Sequence, residues 1–464
     1  VDDYVPGGKA GARVYQDESG ANWGVMLHQT DVKNNNNKYY VIQVVERNGS
    51  YSAFTRWGRV GEPGATGNVP CGTNLDAAKK AFADKFKDKT KNKWDDVRAD
   101  ASKFTEAAGK YKLIDVDLED DGADGAIVAD PAGGAPKKTK ASALDAPVQN
   151  MLRIIFDKDM FKSQMAEMKL DAKKMPLGKL SKTQIQKGYD ALAAVDAAVK
   201  ANKSASILAD LSSAFYSAIP HDFGRSVPPA IRTADEVAKK YELLNLLNDI
   251  QVAVSVDAAA EANQTDDEHP LDKQYRELNC ALQYIDPSTP EYKLIDTYTR
   301  ETQGYRKCTI QHAYRVDRPD DKKRMEAHAK EGNRHLLWHG TNIAVVAAIL
   351  KTGLRLMPHS GGRVGRGLYF ASENGKSAGY VRPDYQTKTG YMFLCEIVMG
   401  NAKEINQDDS SLCKEKVDKL GVDSIIARGR QEPDPSKDTT LKGEWGDMRV
   451  PQGKPVDQPQ WSKS

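Results

Sequence analysis

The chain has 464 residues, 39% of them hydrophobic, with 67 Lys and Arg against 65 Asp and Glu for a formal net charge of +2. That length holds about two to four domains with ordinary cores, and the near balance of charge excludes a chain that is basic throughout, so any nucleic-acid surface must be a local patch. No run reaches the apolar length of a membrane span and no secretory signal opens the chain; Cys71, Cys280, Cys308, Cys395 and Cys413 lack zinc or disulfide spacing, which predicts an intracellular chain with reduced thiols and no metal.

Residues 4–111 read as short strands followed by one helix. The runs 39–46 and 51–57 are rich in β-branched and aromatic residues and are joined by Arg47-Asn48-Gly49-Ser50, so an antiparallel hairpin is predicted. Asn74 is placed to cap a helix whose buried face uses Ala78, Phe82 and Phe86 at four-residue spacing. Between Lys79 and Lys93 that stretch carries seven lysines against two aspartates. Such a run is usually a solvated face, and here it also adds local positive potential. Residues 117–143 read as a linker, acidic at Asp117, Glu119, Asp120, Asp121 and Asp124, then rich in Gly, Ala and Pro, then basic at Lys137, Lys138 and Lys140.

Residues 144–263 repeat apolar positions at three- or four-residue spacing, as in Val148, Leu152, Ile155 and in Val237, Tyr241, Leu244, Leu247, Ile250. Breaks fall at Pro176-Leu177-Gly178, Pro220 and Pro228-Pro229. That pattern predicts an all-α bundle of about six helices. From residue 268 onward it turns to strands and long loops, with a buried strand over 390–398 and another over 424–427.

Residues 336–380 carry the densest signal. An apolar run ends in His339-Gly340, and a helical segment over 343–351 is stopped by Gly353. The loop Ser360-Gly361-Gly362-Arg363-Val364-Gly365-Arg366-Gly367 then leads into a second predicted strand, Leu368-Tyr369-Phe370-Ala371. Glycines admit close backbone approach and paired arginines favour an anion, so the loop suits a phosphate-bearing ligand. It lacks P-loop spacing and precedes a strand rather than a helix, which leaves a plain flexible connection as the competing reading. His339, beside Trp338, reads by itself as a core histidine as readily as a catalytic one.

Taken together, His339-Gly340-Thr341, Gly367-Leu368-Tyr369-Phe370-Ala371 and Gly375-Lys376-Ser377-Ala378-Gly379-Tyr380 closely resemble, in order and spacing, the three motifs that mark the nicotinamide pocket of the poly(ADP-ribose) polymerase family. Gly375 stands where that family has a serine. Arg56-Trp57-Gly58-Arg59-Val60-Gly61 resembles the family's WGR domain. Pro176-Leu177-Gly178-Lys179-Leu180-Ser181 and Ile219-Pro220-His221-Asp222-Phe223-Gly224 resemble its regulatory helical domain, with His221 read as stabilising a turn. Met357-Pro358-His359-Ser360-Gly361-Gly362 resembles the short, DNA-dependent, mainly mono-ADP-ribosylating branch. The resemblance implies an α+β multidomain chain. Residues 1–116 would be a mixed β/α WGR domain that senses DNA breaks and 117–143 a linker. Residues 144–266 would form an all-α regulatory bundle that restrains NAD+ access until DNA binds, and 267–464 a β-rich ADP-ribosyltransferase fold without its C-terminal strands.

The same resemblance implies a nuclear enzyme of strand-break repair with NAD+ as substrate and no metal. It would be activated by DNA breaks bearing a 5'-phosphate and would move ADP-ribose to protein acceptors, itself and chromatin proteins included, or to DNA ends, releasing nicotinamide; no membrane partner is implied. His339 and Tyr369 would be catalytic, His339 positioning a ribose hydroxyl, while Tyr369 and Tyr380 sandwich the nicotinamide ring and Gly340 and Ser377 hold its carboxamide. Thr341 and Arg355 would contact the adenosine half, and the loop ending at Arg366 would lie over the pyrophosphate. Trp57 and Arg59 would sit at the DNA end and the domain contact, with Asn37, Lys38 and Tyr111 near the terminal phosphate; an indole face stacks where a break exposes a base, and cations answer the phosphate. The family's third catalytic residue, a glutamate opening a late strand, would fall after Ser464, and Glu373, Glu396 and Glu404 do not match it. Losing such a contact costs about a hundredfold or more in rate. The alternative reading is therefore a DNA-end-binding scaffold with a catalytically impaired NAD-binding domain.

Overall fold

The computed structural model describes residues 1–115, 140–167, 181–262, 268–304, 307–357, 361–384 and 386–461. Most of the predicted linker, the Pro176-Leu177-Gly178 break and Pro358-His359-Ser360 lie outside the described residues. The chain divides into two compact units, one drawn from Val1–Gly134 and Phe161–Gln251, the other from Ala135–Met160 and Val252–Ser464.

In the first unit a six-stranded antiparallel sheet runs in the order Ala65–Gly72, Ser50–Arg59, Asn36–Arg47, Gly24–Asp31, Lys112–Ile114, with Ala12–Val14 added beside Asn36–Arg47. The predicted hairpin is its centre. Arg47 pairs with Ser50 across Asn48 and Gly49, whose φ values of 49° and 76° are what a two-residue turn with the strands' own twist requires. Helix Leu75–Thr90 begins where Asn74 accepts the Ala77 N–H at 3.0 Å, and ends at Lys91, which takes φ 69°. Its Ala78, Phe82 and Phe86 are fully buried against Trp23, Leu27, Tyr40 and Ile42. Each phenylalanine so placed contributes about 1.5–3 kcal/mol by leaving water.

Five helices stand among the described residues of the predicted bundle: Ala146–Ile155, Lys158–Glu167, Lys182–Lys200, Ala205–Ala218 and Ala234–Ala262. They are shared between the two units rather than forming a third. Ala205–Ala218 belongs with the sheet, because its small polar face bonds the Gly24–Asp31 strand: Ser217 Oγ accepts the Thr30 N–H at 2.9 Å, and Ser213 Oγ accepts the Val32 N–H at 2.9 Å.

From residue 268 the second unit interleaves an antiparallel strand pair, Ala281–Tyr284 with Tyr314–Asp317, with three helices that the sequence pattern does not predict, Pro270–Leu278, Pro290–Glu301 and Pro319–Ala327. Each has proline at the start, where a missing N–H costs nothing. Its main sheet has the order Met392–Val398, Arg334–Gly340, Gly446–Val450, Thr439–Gly443, with only the middle pair parallel. The core beneath it is Tyr298, Leu336, Trp338, Met448 and Val450. Two expectations need correction. Within the 390–398 run the strand covers Met392–Val398, an edge strand that is half-buried because it has one neighbour in this sheet. Leu368 to Ala371 forms no strand; its extended chain is tied to the sheet by a single bridge in which Trp338 and Ala371 exchange N–H to carbonyl bonds of 2.8 and 2.9 Å.

Among the described residues no helix is long and apolar enough to cross a membrane, and no cluster of three His, Cys, Asp or Glu is arranged to hold a metal ion. All five cysteines are free thiols.

Candidate functional site

The second unit brings the three pocket motifs together. His339 and Gly340 end the strand Arg334–Gly340; Ser377 sits in the short helix Asn374–Ala378 and Tyr380 follows it. Gly340 is glycine of necessity, since an added Cβ would overlap the Ser377 carbonyl. The buried Ser377 donates its hydroxyl to the Trp338 carbonyl at 3.0 Å. Its proton is thereby spent, and the lone pairs left on Oγ suit a ligand N–H, such as that of a carboxamide.

His339 is half-buried, its ring 5.6 Å from that of Phe370 and its Nδ1 2.9 Å from the Tyr369 carbonyl. A carbonyl only accepts, so Nδ1 carries the proton and Nε2 is left to accept. Tyr369 donates its hydroxyl to the Gly365 carbonyl at 2.6 Å and accepts the Val364 N–H at 3.2 Å, which ties the ring to the glycine-rich loop. Burial first, offset by the Val364 N–H and reinforced by the nearby Tyr380 phenol, raises the Tyr369 phenol above its ordinary range. Tyr369 and Tyr380 are nevertheless open to solvent, 43% and 72% exposed, so both present ring surface to a ligand.

The loop itself is a tight hairpin in which Gly361 pairs with Arg366 and Gly362 with Gly365. Gly365 takes φ 77° and packs on the Leu412 carbonyl, so a side chain there is excluded twice over. Both arginines are exposed, and Arg363 pairs with Asp408 at 2.6 Å. Thr341 and Arg355 are half-buried; the Thr341 carbonyl accepts the Arg382 N–H at 3.4 Å.

In the first unit the predicted DNA-facing residues separate. Trp57, 37% exposed, stacks on Tyr40 with ring centroids 5.5 Å apart and planes 10° from parallel. Tyr111 meets the edge of Tyr40 at 5.9 Å, and Lys38 and Lys89 place their ammonium groups over the Tyr111 and Tyr40 rings at 5.3 and 5.0 Å. Burial pushes the Tyr111 phenol up to about 12, which keeps it a neutral O–H donor. These side chains form one basic aromatic ledge. Arg59 turns away from it: its guanidinium bonds the carbonyls of Gly224, of Ser226 at 2.8 Å and of Asn35 at 3.0 Å. Asn37 is a correction to the expectation of a phosphate contact. It is buried, its Oδ1 accepting from Thr30 at 3.0 Å and lying 3.2 Å from His28 Nε2, and its Nδ2 donating to the His221 carbonyl at 2.8 Å. A side chain with every hydrogen-bonding atom engaged beneath the surface instead holds the sheet to the segment just past helix Ala205–Ala218.

Sequence reasoning missed the residues that hold these groups in place, among them Trp338, Tyr298, Thr302 and Asn374. Tyr298 and Thr302 share one helix face four residues apart, but Trp338 and Asn374 lie far along the chain and no motif connects the two pairs.

Comparison with known proteins supplies the family. Residues 23–101 match the WGR domain, 142–275 the poly(ADP-ribose) polymerase regulatory domain and 289–464 the poly(ADP-ribose) polymerase catalytic domain. The chain is 46% identical over 463 residues to Protein mono-ADP-ribosyltransferase PARP3 of Homo sapiens, covering 98% of this chain and 84% of that protein. It is 45% identical over 465 residues to the protein of that name from Mus musculus, covering 98% and 85%. To Poly [ADP-ribose] polymerase 2 of Homo sapiens it is 34% identical over 435 residues, covering 91% and 72%. With its WGR, regulatory and catalytic domains, the chain belongs to the poly(ADP-ribose) polymerase family and is an ADP-ribosyltransferase that uses NAD+ as substrate.

Proposed function

We propose that this chain is a nuclear, DNA-break-activated ADP-ribosyltransferase of strand-break repair, with DNA ends bearing a 5'-phosphate as its activator and proteins, itself and chromatin proteins included, as acceptors. The observation that carries the reading is the convergence of His339, Gly340, Tyr369, Ser377 and Tyr380 in one unit, in a chain that also presents the Trp57 ledge. The nicotinamide ring lies against the two tyrosines, its carboxamide between the Gly340 backbone and Ser377 Oγ, and the ribose near His339. Arg366 answers the pyrophosphate, and Thr341 and Arg355 take the adenosine side. Cleavage of the nicotinamide–ribose bond develops positive charge on the sugar, the leaving nicotinamide takes the bonding electrons, and the acceptor's nucleophile closes on the anomeric carbon and loses its proton.

On the DNA side the exposed face of Trp57 stacks on the base or sugar that a break uncovers, while Lys38 and Tyr111 meet the terminal phosphate. Arg59 serves the contact with the Gly224 to Ser226 turn rather than the DNA itself. Relatives named as mono-ADP-ribosyltransferases favour single ADP-ribose units as the product. The test is automodification with labelled NAD+, with and without nicked or blunt DNA carrying or lacking a 5'-phosphate. Stimulation by the phosphorylated ends is expected, and label incorporation indifferent to DNA would remove the regulatory part of the proposal.

A further inference from the structure

The turn that carries Ser377 is gripped from behind by the end of one helix. Helix Pro290–Glu301 closes at Thr302, which is fully buried. Thr302 Oγ1 donates to the Tyr298 carbonyl at 2.7 Å and accepts the Asn374 N–H at 3.0 Å, and the Thr302 carbonyl accepts the Gly375 N–H at 3.0 Å. A threonine closing a helix ordinarily satisfies only its own last turn. This one also fixes both leading amides of the Ser377 turn.

One turn earlier on the same helix, Tyr298 is fully buried with its ring 5.1 Å from that of Trp338, and it donates its hydroxyl to the Leu336 carbonyl at 3.1 Å. Residues four apart on a helix share a face. Tyr298 therefore holds the strand that ends in His339-Gly340 while Thr302 holds the turn that faces it. Gly375 completes the grip, because a Cβ there would overlap the backbone nitrogen of Gly304. Glycine in place of the family's serine lets the chain just past the helix lie directly on the Ser377 turn.

We infer that Thr302 is a positioning residue for recognition of the nicotinamide carboxamide, setting the separation of Ser377 from Gly340 through the Asn374–Ala378 turn. The inference rests on the assignment of Gly340 and Ser377 as the carboxamide's partners. Thr302→Val keeps the shape but removes the acceptor, so the buried Asn374 amide must shift to find another. Ser377, three residues on in the same short helix, shifts with it.

The experiment titrates the full chain with benzamide, which carries the aromatic ring and carboxamide of nicotinamide, and separately with ADP-ribose, which carries neither. Thr302→Val is expected to weaken benzamide about tenfold and leave ADP-ribose within about twofold, since a displacement well under 1 Å costs less than the roughly hundredfold of a full ångström. Thr302→Ser, which restores the hydroxyl, is expected to recover the benzamide affinity. Benzamide affinity unchanged in Thr302→Val but weakened in Ser377→Ala overturns the inference alone. Affinity unchanged in Ser377→Ala overturns the carboxamide assignment and the inference with it. Equal loss of both ligands, unrecovered by Thr302→Ser, makes Thr302 a residue that only holds the fold and also overturns the inference. Should Thr302→Val not fold, Thr302→Ala is read against the same outcomes.

Discussion

The two candidate surfaces are built in opposite ways. On the first unit the ledge is made of side-chain faces: Trp57 lies flat on Tyr40, lysines lie over the rings, and the rigid part is the Phe82 and Phe86 core underneath. In the second unit the pocket is made of backbone brought close, with Gly340 against the Ser377 carbonyl, Ser377 bonded to the Trp338 carbonyl and His339 to the Tyr369 carbonyl. A surface of faces loses affinity in proportion to the face removed. A surface of close-packed backbone tolerates almost no added volume.

The largest expected effect breaks the pocket by a single carbon. Gly340→Ala forces the strand end away from Ser377, and NAD+-dependent automodification should fall by at least about a hundredfold, because misplacement of about 1 Å costs that much. Activity within a few-fold of wild type would show that the backbone contact does not set the pocket.

Next comes the seam on the opposite face of the same sheet, where the Gly24–Asp31 strand meets helix Ala205–Ala218. His28 is fully buried between the Ser217 carbonyl and Asn37 Oδ1, and burial lowers its pKa to about 4. His221, beside it, is also lowered by burial. The unfolded chain binds the protons that the folded one refuses, so this stability is fully present above about pH 6.5 and is lost as pH falls toward 4. A loss of about 2 kcal/mol by about pH 5 is expected from His28. Urea titrations across that range should show it, with a shallower slope in His28→Gln. Stability level from neutral to acid would mean that the seam admits charge.

Trp57→Ala is a smaller change, since it removes one face and leaves the core intact. Affinity for nicked DNA should fall about tenfold, the order of one lost base stack, with automodification in the absence of DNA unchanged. Loss of folding in this variant, read by thermal denaturation, would place Trp57 in the core after all.

The sequence showed what local chemistry dictates and little of what distant segments share. The hairpin over Asn48-Gly49, the Asn74 cap and the Phe82, Phe86 stripe follow from turn residues and helical spacing. The order His339, Tyr369, Ser377, Tyr380 was readable because short motifs carry it. Asn37 was misread because its partners, His28, Thr30 and His221, lie up to 184 residues away, and a polar residue beside a lysine looks exposed until a helix covers it. The strand expected over Leu368 to Ala371 failed for a related reason: its pattern suits a sheet, but only Ala371 finds a partner there. Thr302 had no signal of any kind, because a helix-ending threonine looks the same whether or not another segment uses its oxygen.

The smallest effect sharpens the comparison most. Lys38 sits over Tyr111 on the ledge and contributes charge rather than stacking area. Lys38→Ala should therefore weaken DNA binding only a few-fold, and it should lower the dependence of log affinity on log salt by about 0.9, the share of one phosphate contact. Trp57→Ala should leave that slope where it is, since an indole releases no counterions. Measured side by side at several salt concentrations, the two variants separate face from charge on one surface. Equal slopes in both would mean that Lys38 is spent on the Tyr111 ring and that the phosphate is met elsewhere along the Leu75–Thr90 helix.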